Sequence, residues 1–243
     1  MLKANQAPVA VPPLNRCEGV DVMKLGVYSI VLPDYRREEA AAKVAEIGYT
    51  GIEWTVGYED RVFNSGEQWH VSLDHLEEDA PRAKEVAQRY GLDIPSLGTS
   101  AETGDFEKIE RLMKGAVAMG APMLRIGSAR YDGTTPYDEL RAMVIDNYRT
   151  IETMAARHGV KALIEIHSHT ICPSASATMR VLENFDPRHV GAILDPGNMV
   201  IEGMERSEEV IAGLTGKSRA SRVVSSRAVF RGQVRPAFSA RFK

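Results

Sequence analysis

Two stretches decide the fold: Val160-Lys161-Ala162-Leu163-Ile164-Glu165-Ile166-His167 and Val190-Gly191-Ala192-Ile193-Leu194-Asp195-Pro196-Gly197-Asn198. Each is a short, almost wholly apolar run that ends in a carboxylate and a polar turn. Uninterrupted apolar runs of this length read as strands covered on both faces, as in parallel sheets flanked by helices. Between them Met179, Leu182 and Phe185 recur at helical spacing. The unit is strand, helix, strand, and a crossover helix makes the two strands parallel neighbours.

The same unit repeats toward the N-terminus. Leu25–Leu32 reads as a first strand, followed by a helix with Ala40, Val44 and Ile47 on one face. Thr50–Thr55 is the second strand, and a helical stretch from Leu73 to Tyr90 follows, where Pro81 admits a division into two helices with Asp79 capping the second. Leu92–Leu97 and Met123–Gly127 are the third and fourth strands. Ile109, Leu112, Ala116 and Met119 line the helix between them, and Leu140, Val144, Tyr148, Ile151 and Ala155 line the next. Six βα units imply a parallel α/β sheet, closed as a barrel or open and doubly wound. Residues 24–214 give about 32 residues per unit, whereas a whole (β/α)8 barrel takes roughly 250 residues. The expectation is a TIM-barrel type fold, incomplete at about six units. Neither the dinucleotide fingerprint G-x-G-x-x-G nor a P-loop is present, which disfavours nucleotide-binding versions of the open sheet.

The 243 residues are 44% hydrophobic and 26% charged, which suits a globular domain and excludes a disulfide scaffold or a low-complexity chain. The net charge of −3 averages two unlike parts. From Thr215 to Lys243 there are two Lys, six Arg and no acid, so an acidic body precedes a basic tail. Cys17 and Cys172 are too few for a framework, and a reducing, cytoplasmic setting is expected. No apolar run is long enough to span a membrane. Residues 1–22, with Pro8, Pro12 and Pro13, are expected to be a poorly ordered extension before Met23.

In parallel α/β folds the chemistry gathers at the carboxyl ends of the strands. Strand alternation sets Glu165 and His167 on one side, and Glu53-Trp54, Arg125 and Asp195 end other strands. Carboxylates ending two adjacent strands can share a divalent cation such as Mg, Mn, Co or Zn. Asp195 also suits a plain Asp-Pro-Gly turn. Glu165 lies among apolar neighbours and needs a partner. Arg125 suits either a phosphate contact or a structural ion pair, and His70, His75, His158 and His189 read as surface residues.

The segment from Leu163 to Gly203, with its endings Glu-x-His and Asp-Pro-Gly-Asn, resembles the xylose-isomerase-like TIM-barrel superfamily of sugar and sugar-phosphate isomerases and epimerases. The opening KLGVYSIV, the second strand GYTGIEW and RIG in the fourth fit as well, so the likeness covers about Met23 to Leu214. The resemblance implies Glu165 as metal ligand and proton-transfer residue, and Asp195 as the second ligand. It implies His167 and Asn198 as contacts to substrate hydroxyls, with Glu53 and Trp54 on the pocket rim. The implied reaction on a small carbohydrate passes through an enediolate beside a bound metal. Members also take a histidine from strand seven and a glutamate from strand eight, and no His, Glu or Asp follows Leu214. A degraded, non-catalytic sugar-binding barrel is therefore the alternative. An apurinic-endonuclease-like hydrolase fits less well, because Asn198 stands where that family has histidine.

The tail admits three readings: an irregular solvated segment, a basic arm for nucleic acid, or an out-of-frame continuation with no family relation. Nucleic acid is the least expected partner. If six units leave a gap, either the tail or a second subunit has to cover two exposed strand edges.

Overall fold

A computed structural model describes residues 24–57 and 69–198, with the backbone of extended segments at 220–226, 229–230, 233–234 and 238–240. The expected N-terminal extension and the helix expected at 207–214 lie outside the described residues. In chain order the elements are β1 (Leu25–Tyr28), α1 (Arg37–Glu46), β2 (Gly51–Gly57), β3 (Val71–Ser72), α2 (Leu76–Arg89), β4 (Leu97–Gly98), α3 (Phe106–Met119) and β5 (Met123–Ile126). They continue with α4 (Tyr137–His158), β6 (Lys161–Glu165), α5 (Ala175–Leu182) and β7 (Val190–Leu194).

Strands β1, β2, β4, β5, β6 and β7 run parallel, each paired to the next, while the two-residue β3 lies along the far end of β2. This is the six-strand parallel part of a TIM barrel with its helices outside. Alternation splits the sheet into two faces. Ile52, Trp54, Val56, Leu124, Ile126, Ala162, Ile164 and Ala192 belong to the large core shared with the helices. Met123, Leu163 and Ile193 form a separate small cluster on the inner face. Tyr148 of α4 is fully buried, and its hydroxyl donates to the carbonyl of Ile126 (2.9 Å), tying helix to sheet. Asp105 caps α3 by accepting from the Lys108 amide (3.1 Å), and α4 ends at Gly159 in the left-handed conformation, φ 67°.

The tail closes the ring. β8 (Ala220–Ser226) lies parallel to β7, and β11 (Phe238–Ala240) runs antiparallel between β8 and β1. A short antiparallel pair, β9 (Val229–Phe230) with β10 (Gln233–Val234), stands between them. The segment expected to be irregular thus supplies extended backbone to both edges. Unpaired amides and carbonyls on β1 and β7 give an incoming chain a template, and Val223 and Val224 favour extended backbone.

Several local expectations change. Leu76–Arg89 is one helix with Pro81 inside it. The Asp79 carboxylate, expected as a cap, instead accepts from the Ser72 amide (2.9 Å) and pairs with Arg37 (2.6 Å). Ile47 lies beyond α1 and is 63% exposed, with Ala41 burying in its place. The third strand starts later, at Leu97, because Asp93 bridges Gly51 and Pro95 follows. His70 is not a surface residue. It is 4% exposed, its Nε2 meets the Tyr35 carbonyl at 3.0 Å, and its own carbonyl accepts from Arg37.

Candidate active site at the carboxyl ends of the strands

Glu165 ends β6 on the inner face, and Arg125 of β5 is registered against Leu163, two residues before it. The two side chains form an ion pair with most of their surface covered. Arg125 is held from a second side as well: its Nη1 donates to the Thr99 carbonyl (2.6 Å), and the Thr99 hydroxyl donates to the Arg125 carbonyl (2.6 Å). Burial disfavours the Arg125 cation, but Glu165, Tyr28 and Glu53 more than offset that and raise its pKa. The structure therefore resolves the choice left open at Arg125 in favour of the ion pair.

Asp195 follows β7 directly and is 1% exposed. Its Oδ1 accepts from the amides of Gly197 (2.8 Å) and Asn198 (3.2 Å), and Asn198 Nδ2 donates to Oδ2 (2.9 Å). The Asp-Pro-Gly-Asn turn and the functional reading are thus the same object: the turn aims its donors at the carboxyl. Asp195 also lies within interaction range of the Glu165 carboxyl. Burial first, and the Glu165 charge second, push the Asp195 pKa up to about 7, against the pull of the Asn198 and Gly197 amides.

Glu53 faces inward from β2, is 3% exposed, and lies within electrostatic reach of Arg125. Asn198 joins the group through Asp195. His167 is half-buried, and its Nδ1 bonds the Ser168 carbonyl at 2.8 Å, which fixes the ring beside the strand end. Trp54 is not brought to the group. As the neighbour of Glu53 in an extended strand it points the other way, fully buried in the helix-facing core with its ring 5.9 Å from that of His70.

Two aromatic residues that the strand endings did not flag take the inner face instead. A Cβ on Gly57 would fall 2.0 Å from the Trp69 ring, and one on Gly98 would fall 2.1 Å from the Tyr28 ring. Each glycine, at the end of β2 or β4, is a seat for an aromatic ring. The available signal was glycine at strand ends where neighbouring strands carry side chains. Beyond these ends, the loops after β4 and β5 and Trp69 border a cavity of about 780 Å³.

Glu165 and Asp195 fit two positions of a divalent-metal shell. Both are oxygen donors, and the Glu165 charge that raises the Asp195 pKa is one that a cation would neutralise. Among the described residues no three His, Cys, Asp or Glu side chains converge as a metal-holding group. Among the same residues no helix is long and apolar enough to cross a membrane.

The chain is 18% identical to the apo crystal structure of 3-keto-D-glucoside 4-epimerase YcjR from E. coli, with a TM-score of 0.63 over 81% of this chain and 76% of that one. D-allulose 3-epimerase from Methylomonas sp. in complex with D-allulose is 21% identical, TM-score 0.61, over 81% and 69%. The IOLI protein with a bound zinc atom is 14% identical, TM-score 0.61, over 79% and 69%. No curated protein sequence matches the chain. Its residues 41–226 match the sequence profile of one family, so that the chain belongs to the xylose isomerase-like TIM barrel family.

Proposed function

We propose that this protein is a divalent-metal-dependent sugar isomerase or epimerase that moves a proton on a carbon next to a carbonyl. The observation that carries the reading is the buried Glu165–Asp195 carboxyl pair at adjacent strand ends. The sugar epimerases among the structural neighbours support the substrate class, and the zinc-bound one supports the metal.

Glu165 and Asp195 would hold the metal, which when bound polarises substrate oxygens and offsets developing negative charge. Glu165 takes the proton from the substrate carbon and leaves an enediolate. Arg125 and Thr99 keep the Glu165 carboxylate in one orientation, and Asn198 does the same for Asp195. His167, Asn198 and Glu53 receive substrate hydroxyls. A second reading, a sugar-binding barrel without turnover, is favoured by one observation: among the described residues the carboxyl donors that meet stop at two.

The test uses the purified full chain with Mn, Co or Zn and a panel of ketoses in D2O. Bound metal near one per chain, with deuterium incorporated at the carbon next to the carbonyl, is expected, and Glu165→Gln should lose both. Sugar binding with neither metal nor exchange would establish the non-catalytic barrel instead.

A further inference from the structure

The geometry points to a second binding place, at the same carboxyl-end face of the sheet as the carboxyl pair, for a neutral sugar ring beyond the reacting one, so that the substrate is a glycoside or disaccharide rather than a sugar phosphate. This rests on the proposed sugar-directed reading of the site.

Three observations carry it. First, the cavity of about 780 Å³ lies in the upper part of the roughly 300–1,000 Å³ range of small-molecule sites, more than one six-carbon ring fills. It opens where the strands end: Ser100 lies two residues past β4 and Arg130 four past β5. Second, its aromatic wall is Trp69, whose ring lies against Gly57 on the face of β2 that also carries Glu53. A flat ring at the mouth offers its face to the C–H groups of a pyranose, while polar neighbours meet the hydroxyls. Third, among the described residues the charges around it balance. Glu102 and Asp105 stand with Lys108 and Arg130. A phosphate would need an excess of cations, and Arg125 is committed to Glu165 and to the Thr99 carbonyl. A balanced set of donors and acceptors suits an uncharged polyol.

Binding to the full chain is measured by calorimetry with cellobiose, maltose, lactose and sucrose, their component monosaccharides, and glucose 6-phosphate. At least one disaccharide should bind about tenfold more tightly than its components, the scale of one well-placed aromatic contact. Trp69→Ala should erase that advantage. Ser100→Trp, a change at an exposed loop position, should erase it by filling the cavity, and it serves if the first variant does not fold. The proposal is overturned if no disaccharide exceeds its components, if glucose 6-phosphate binds best, or if both folded variants keep the preference. Because the readout is binding, loss of the disaccharide preference with deuterium exchange intact refutes this subsite alone. A preference without exchange refutes the catalytic reading alone.

Discussion

Asp195 makes the stability of the metal-free chain depend on pH in an unusual direction. Its folded-state pKa of about 7 lies above the ordinary 3.8. The folded chain therefore holds a proton that the unfolded chain releases, and the stability tied to this group is intact below about pH 4 and is lost as pH rises through about 7. At about 1.4 kcal/mol per unit, the shift amounts to at most roughly 4 kcal/mol between those limits. Asp195→Asn removes the titration. The variant pays a pH-independent cost, because Asn198 Nδ2 would then face an amide or an oxygen according to the flip, so the informative quantity is the change with pH. Urea unfolding in EDTA at pH 5 and pH 8 supplies it. Between pH 5 and pH 8 the native chain should lose about 3 kcal/mol relative to Asp195→Asn, the share of the shift that lies above pH 5, and excess Mn should restore it, since a bound cation takes the place of the proton. Parallel pH profiles for the two proteins would refute the raised Asp195 pKa.

His70 acts in the opposite sense: burial lowers its pKa from 6.5, so stability should fall as pH drops below about 6.5, and His70→Asn should flatten that limb of a urea titration. Arg125→Met leaves the Glu165 carboxylate covered and unpaired, and chemical denaturation should show a loss of about 3–5 kcal/mol, partly regained in Arg125→Met/Glu165→Gln. Gly57→Ala should displace the Trp69 ring, read as a shift in tryptophan emission with the far-ultraviolet circular dichroism retained.

The repeat was legible because each inner strand is a plain apolar run and each helix keeps its period. Glu165 was legible for the same reason, as a carboxylate set in an apolar strand. What pairs with it was not, since whether Arg125 reaches Glu165 or a ligand depends on the register of β5 against β6. Trp54 misled because adjacency in sequence puts it beside Glu53 while the pleat puts it on the opposite face. Trp69 was hidden by the reverse effect: it is distant from any strand ending and reaches the mouth only because Gly57 has no side chain. His70 was misread because a loop position was equated with exposure, although its neighbours Arg37, Tyr35 and Trp54 enclose it. The tail was the least legible part, because its pairing depends on what the other strands leave open.

That closing strand also sets a timetable. β1 meets β11 across roughly 200 residues of chain, which ribosomes making about 5–20 residues per second take about 10–40 s to synthesise. For that interval β1 exists without the neighbour it will finally have, as does β7 for the shorter wait until β8 emerges. Ring closure is the most non-local event in the molecule, with the largest loop entropy to overcome. The newly made protein therefore passes through an open-sided form whose free strand edges can join those of another copy, and its yield in a cell depends on how fast the last segment docks relative to such encounters.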